Sequence, residues 1–163
     1  IINIEKGLVP DGLIGEVIAH VLKGVAQDQG VLIDGAPRRI SQVDEVEEAL
    51  TSVGRTVEKV IYLDLDRETA VKRISTRWSC EQCKAPYIGD QEEIALLGAC
   101  SVCGGVIGRR TDDTPEGVAE RYQVFRESTY PVIEHYRSLG QLVHVDASLP
   151  PEQVSERIEE ALV

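Results

Sequence analysis

Methionine is absent from this 163-residue chain, and the first residue is Ile1. A translated chain starts with Met, so either the start has been processed or the sequence begins inside a longer protein. Basic charge is scarce: 17 Lys and Arg against 28 Asp and Glu leave a formal net charge of −11. Nothing concentrates positive charge for neutralising a nucleic-acid backbone, so nucleic acid is not the expected partner. No apolar run approaches the roughly 18 residues that a membrane span needs. The opening Ile1-Ile2-Asn3-Ile4-Glu5-Lys6 has no basic region followed by an apolar stretch, so it does not read as a signal peptide. There are no repeats and no low-complexity tract. What remains is a chain with 42% hydrophobic residues, enough for a packed core, at a length that suits one ordinary domain.

The four cysteines form two pairs, Cys80-Glu81-Gln82-Cys83 and Cys100-Ser101-Val102-Cys103, separated by sixteen residues. Two CxxC turns at this spacing predict a tetrahedral zinc site, because each turn aims two thiolates at one ion. Gly104-Gly105 supplies permissive backbone after the second pair. Two disulfides are the other reading, but nothing points to secretion. A thioredoxin-like motif would need a single CxxC opening a helix. Four thiolates close the coordination shell, so the metal is expected to be structural.

Val31-Leu32-Ile33, Val60-Ile61-Tyr62-Leu63 and Leu142-Val143-His144-Val145 read as buried parallel strands, each followed by an acid: Asp34, Asp64 and Asp146. Helical patterns lie between them, which predicts an α/β fold with a parallel sheet. Asp66 is the expected cap of a helix through Arg77. Thr114-Pro115 marks a second helix start, Pro131 breaks or kinks that helix, and Gly140 ends it. Pro150-Pro151 opens a last helix with Val154, Ile158, Ala161 and Leu162 on one face. The cysteine segment is an insertion of about 35 residues between Arg77 and Thr114.

Five arginines stand out in this acidic chain. Arg38 follows a strand end in Asp34-Gly35-Ala36-Pro37-Arg38; Arg73 and Arg77 are four apart, one face of the expected helix; Arg110 follows the second knuckle; Arg121 lies on the next helix. Several guanidinium forks around one center suit phosphoryl transfer, where charge spreads over several oxygens. His20, His135 and His144 are scattered and are assigned to surface or core, and Trp78 to packing.

These motifs together resemble the adenylate kinases, nucleoside monophosphate kinases of the P-loop class, over essentially the whole chain. Leu8-Val9-Pro10-Asp11 resembles the segment after the AMP-binding helices. Val31 to Arg38 resembles the strand and AMP-phosphate loop. Arg73 to Arg77 precedes the lid, the two knuckles match the zinc-bearing lid of the bacterial long form, and Arg110-Thr111-Asp112-Asp113 with Arg121 completes the likeness. The resemblance implies a P-loop NTPase-like three-layer parallel sheet with the central first strand missing and an inserted zinc-knuckle lid. Its expected parts are 1–23, a remnant of the AMP-binding region; 24–76, core; 77–113, zinc-binding lid; and 114–163, core.

The resemblance also implies roles. Arg38, Arg110 and Arg121 would hold the AMP phosphate and the transferring group, and Arg73 and Arg77 the ATP phosphates. Gln42 would read the adenine of AMP. Gly7, Leu8 and Val9 would line the AMP site beside the loop Gly35, Ala36 and Pro37. Pro86, Tyr87 and Leu149 would lie by ATP, and Asp34 would orient Mg²⁺-bound water. The implied reaction is ATP + AMP to 2 ADP by direct transfer, with Mg²⁺ on ATP and structural Zn²⁺ in Cys80, Cys83, Cys100 and Cys103. The enzyme would be a cytoplasmic monomer without nucleic-acid or membrane partners. Two alternatives stay open: a non-catalytic zinc-knuckle module that binds nucleotides, and a kinase of UMP, CMP or GMP. The departures are specific. No GxxxxGK[ST] loop occurs anywhere; Ala36 stands where Phe is common, Thr76 where Gly is common, and one residue is missing between Gly7 and Leu8. The expectation is therefore the C-terminal three-quarters of a longer enzyme, and a fragment inactive alone.

Overall fold

The computed structural model describes residues 12–109 and 113–162. It divides into two compact units, one of residues up to Asp64 with those from Gln123 on, the other Leu65–Tyr122.

The first unit is built on a parallel pair. β1 (Val60–Asp64) lies beside β5 (Leu142–Asp146), in register from Val60 opposite Leu142 to Asp64 opposite Asp146. Val60, Ile61 and Tyr62 in β1 and Val143 and Val145 in β5 are residues that suit a pleated, half-buried surface. α1 (Leu13–Leu22) and α2 (Ser41–Thr51) pack on one another. α2 buries Gln42, Val43, Val46, Ala49 and Leu50, a helical stripe at steps of three and four. Leu22, Val46 and Leu50 make one core cluster; Val43, Val132 and Tyr136 make another, against Val57, Val60 and Leu142. α7 (Pro151–Leu162) packs on β5. Its apolar stripe is shorter than expected: Val154, Ile158 and Ala161 are half-buried, but Leu162 in the last turn is exposed.

Two expectations about elements need correction. Val31–Ile33 is not a strand: a strand exists through its ladder, and among the described residues no neighbor pairs with this run. Ile33 still packs on the α1–α2 cluster, whereas Leu32 is 83% exposed. The helix from Asp66 also stops early. α3 spans Arg67–Ser75, capped as expected by the Asp66 side chain accepting from the Thr69 N–H at 2.8 Å. Thr76 leaves helical geometry (φ −101°, ψ 3°), and Arg77 becomes the first residue of a strand. Arg73 and Arg77 therefore do not share a helix face.

The second unit holds that strand, β2 (Arg77–Cys80), between β3 (Pro86–Ile88) and β4 (Ile107–Gly108), all antiparallel. α4 (Gln91–Leu97) starts on a full capping box, Asp90 with Glu93. α5 (Pro115–Val124) begins as Thr114-Pro115 predicts, with the Thr114 hydroxyl accepting from the Gly117 N–H at 3.0 Å. Further along, Phe125–Thr129 is a turn of π-helix and α6 is Tyr130–Ser138. Pro131 has no N–H to give to the preceding turn, which accounts for the widened turn at the expected break.

At Gly15 the backbone of α2 comes very close. A Cβ there would sit 3.0 Å from the Glu45 carbonyl oxygen and 3.1 Å from its Cβ. Alanine gains up to about 1 kcal/mol in helix propensity, but α1 and α2 would have to separate along their shared core. Gly15→Ala is expected to lower stability by about 1–2 kcal/mol in denaturant melts; a higher midpoint would show that the helices separate freely.

Candidate functional site

Three groups of side chains carry chemistry. In the first, all four cysteine sulfurs lie within 4.8 Å of one another. Cys80 and Cys103 are 3.5 Å apart, and Cys83 and Cys100 are 3.6 Å apart. A tetrahedral ion with thiolates at about 2.3 Å needs sulfur–sulfur edges of about 3.8 Å, so the donor set and its spacing fit zinc.

The backbone explains why. Both knuckles make the same bonds: the Lys84 N–H donates to the Cys80 carbonyl at 3.0 Å, and the Gly104 N–H to the Cys100 carbonyl at 2.8 Å. The first cysteine of each closes the turn from its own N–H, onto the Ala85 and Gly105 carbonyls at 2.9 and 2.8 Å. The fifth residue is left-handed in both, Lys84 at φ 62° and Gly104 at φ 73°. Gly104 adopts this at little cost, while Lys84 holds the same conformation with a side chain.

Tyr87 belongs to this group. Its hydroxyl donates to the Cys100 sulfur at 3.1 Å and accepts from the Ser101 N–H at 2.9 Å. That hydrogen bond, with the Cys103 and Val102 N–H groups, outweighs desolvation and brings the Cys100 thiol down to about 6. Cys80 is lowered as well, first by the Cys83 N–H. Cys83 goes the other way: against the Ala85 N–H, the Cys103 sulfur and burial push it up to about 12, so the shift toward the metal-binding thiolate belongs to Cys80 and Cys100.

The second group centers on Asp113, whose side chain is fully buried. Arg77 grips it with both forks, Nε to Oδ2 at 2.9 Å and Nη2 to Oδ1 at 2.6 Å; Arg121 adds Nη2 to Oδ1 at 3.0 Å. The Arg77 hydrogen bonds first, then those of Arg121, hold the carboxyl below its usual value against the opposing pull of burial. Two guanidinium groups are thus fixed side by side around one oxygen-bearing acceptor. Sequence reasoning found both arginines but missed Asp113. The only signal was its place in Arg110-Thr111-Asp112-Asp113.

The third group lies in the first unit. In the loop before α2, the Arg38 Nε donates to the Gly35 carbonyl at 2.8 Å, and the Arg38 N–H to Gln42 Oε1 at 2.9 Å. Gln42 is 2% exposed, so it is not an ordinary helix-surface glutamine. Ala36 and Pro37 are half-buried and Asp34 is exposed.

The other expected site residues are dispersed. Arg73 is exposed on α3, Pro86 is exposed on β3, and Leu149 is half-buried before α7. Gly7, Leu8, Val9 and Arg110 lie outside the described residues. His144 is exposed on β5, a surface histidine as expected, with its Nε2 2.9 Å from Asp64, whose other oxygen accepts from the Tyr62 hydroxyl at 2.8 Å. Trp78 packs as expected, donating from Nε1 to the Gly89 carbonyl at 3.0 Å, with the Arg109 guanidinium 4.4 Å over its ring.

Comparison with known proteins gives a consistent result. A family profile described as Adenylate kinase matches residues 2–141. A protein named Adenylate kinase from Dehalococcoides mccartyi (strain BAV1) is 38% identical over 159 residues, 97% of this chain and 73% of that protein. One of the same name from Thermosipho africanus is 36% identical over 151 residues, 93% and 71%. Another from Thermoanaerobacter sp. (strain X514) is 33% identical over 159 residues, 97% and 73%. Among the described residues no helix is long and apolar enough to cross a membrane.

Asp113→Asn tests the second group. The lowered carboxyl contributes stability that is fully present above the unfolded value, near pH 4, and is lost as pH falls through the folded value below it. At neutral pH the variant should melt earlier, by about 1–2 kcal/mol given that both arginines are partly exposed. The gap between variant and parent should close in acid. Fluorescence of Trp78, the single tryptophan and a member of the same unit, reports it. A gap unchanged down to pH 2 would contradict this role.

Proposed function

The chain belongs to the adenylate kinase family, and from that premise we propose how its own residues serve phosphoryl transfer between ATP and AMP. Members of the family are phosphotransferases that use Mg²⁺ with ATP, and their fold is that of the P-loop NTPases. The observation that carries the residue assignment is the double grip of Arg77 and Arg121 on Asp113. A carboxylate pre-organises two forks in the unit where ATP phosphates are expected, before any nucleotide arrives, so little reorganisation is left for the reaction. Arg73 and Arg77 then hold ATP phosphates, and Arg110 and Arg121 the transferring group. Arg38 holds the AMP phosphate beside Gly35, Ala36 and Pro37, with Gln42 and the stretch Gly7, Leu8 and Val9 completing the AMP side. Pro86, Tyr87 and Leu149 lie on the ATP side. Asp34 would hold Mg²⁺-bound water, and the ion supplies charge neutralisation on the phosphates. No covalent intermediate on the protein is required; the residues position two nucleotides and exclude water.

Residues 77–113 act as a lid in this reading, with 24–76 and 114–163 as core and 1–23 bordering the AMP site. The knuckles carry one structural zinc ion. It supplies rigidity and no step of the chemistry, because four thiolates leave no open coordination position. The support is physical: among its described residues the second unit has few buried apolar side chains, Ile94 and Val118, besides Cys80 and Cys100. The working form is proposed to be a cytoplasmic monomer.

Two measurements test these assignments. Calorimetric titration of the 163-residue chain should show ATP affinity falling about tenfold or more in Arg77→Ala or Arg121→Ala, as expected when a charge-assisted contact to phosphate is lost. Unchanged affinity in both would remove them from the site. The same 163 residues contain no GxxxxGK[ST] loop. Their turnover should therefore lie at least about a hundredfold below that of the Dehalococcoides relative, given the usual value of such amide and lysine contacts. Equal turnover would mean that another cradle replaces the loop.

Metal content gives an independent check. The chain as purified should hold one zinc ion, and a strong chelator should accelerate proteolysis within residues 77–109 without comparable change in the first unit. Unaltered cleavage after complete zinc removal would deny the metal its structural role.

A further inference from the structure

Thr129 is the last residue of the π-helical turn and the one before α6, with helical backbone (φ −96°, ψ −33°), so it is no ordinary cap, and its side chain makes no capping bond to α6. Its hydroxyl donates instead to the backbone carbonyl of Arg38 at 3.1 Å, across 91 residues of sequence. Thr129 closes the π-helical turn Phe125–Thr129. Such turns carry one extra residue and re-aim the side chains at their end, which is why they cluster at functional places. A hydroxyl that bonds a backbone carbonyl 91 residues away points to a role there.

That role is visible in what holds Arg38. Its N–H is bound by Gln42, the root of its guanidinium by the Gly35 carbonyl, and its carbonyl by Thr129. The first two anchors come from the loop and the start of α2. Only the third comes from a distant part of the chain, and it fixes the peptide plane that the other two leave able to rock. Among the described residues no partner takes the terminal Nη groups. The backbone is thus pinned on both sides while the fork remains for a ligand.

We propose that Thr129 is a positioning residue for Arg38: it acts through the Arg38 carbonyl to set the direction of the guanidinium that receives the phosphate of a nucleoside monophosphate. This rests on the assignment of Arg38 given above. Thr129 does not touch the nucleotide, so its contribution should appear only through Arg38.

The test uses the 163-residue chain, with AMP and ATP affinities measured by titration. Thr129→Val keeps the shape and removes the hydroxyl; Thr129→Ser restores it. Thr129→Val should weaken AMP binding about fivefold, the worth of one hydrogen bond, and leave ATP binding unchanged, while Thr129→Ser stays within about twofold of the parent. In an Arg38→Ala background Thr129→Val should have no further effect. A loss of AMP and ATP affinity together, or a full effect of Thr129→Val without Arg38, overturns the proposal in favor of a purely structural role. So does undiminished AMP binding in Thr129→Val when Arg38→Ala weakens it. If Arg38→Ala leaves AMP binding intact, or the parent binds no AMP, the assignment of Arg38 itself fails and this inference falls with it.

Discussion

The convergence of four sulfurs sets what the second unit can be. Leu65–Tyr122 holds three strands of two to four residues, α3, α4 and most of α5, yet among its described residues the buried apolar side chains are Cys80, Ile94, Cys100 and Val118, too few for a core of its own. Ile88, Leu96, Leu97, Val102 and Val106 are exposed, while Cys80 and Cys100 are buried. Cys80 and Cys100 occupy buried places that leucines and valines fill in a larger domain, while Cys83 and Cys103 complete the cluster from the exposed side. The repeated knuckle geometry, with matching N–H to carbonyl bonds and a left-handed fifth residue, brings segments twenty residues apart to one point. A zinc ion bound there would add stability of the kind that small domains take from metals and disulfides.

Electrostatics follows a similar economy. A chain of net charge −11 repels phosphate at long range, and screening beyond about 8 Å removes little of what matters at contact. Affinity for a phosphate therefore depends on where the arginines stand. Bringing Arg77 and Arg121 together costs like-charge repulsion, and Asp113 offsets it from a buried position. Asp113 is itself stable as a carboxylate only because both guanidinium groups reach it. Each charge justifies the other, so the set stands or falls as one.

Local chemistry was legible in the sequence where one rule sufficed. The β1–β5 pair, the caps at Asp66 and Thr114, the break at Pro131, the end at Gly140 and the spacing of the knuckles all follow from short-range patterns. Long-range relations were not legible. Val31–Ile33 has the composition of a strand, but composition does not provide a neighbor. Arg77 continues a helical spacing from Arg73, yet its pairing with Ile88 and its grip on Asp113 draw it into a strand. Asp113 looked like one acid among 28, because burial is a property of the fold. Gln42, by contrast, was singled out through resemblance alone, and nothing in the spacing of α2 announced that its amide would be buried against the Arg38 backbone.

The two arginine sites differ in how they are made rigid, and the difference bears on what each can discriminate. Arg77 and Arg121 are held through their charged ends by a carboxylate, so a phosphate bound there as proposed would compete with Asp113 for their N–H donors, and the site would be tuned to charge. Arg38 is held through its backbone and its Nε, so the fork itself is not committed to any acid among the described residues. A phosphate bound there as proposed would displace no protein anion among the described residues. Its binding then depends on direction, because a fork matches phosphate oxygens only over a narrow range of angles. Direction is what backbone anchors control. A charge-tuned site suits the polyphosphate of the donor, which is rich in charge whatever its base. A direction-tuned site suits an acceptor with a single phosphate, whose position relative to its base has to be read with more care.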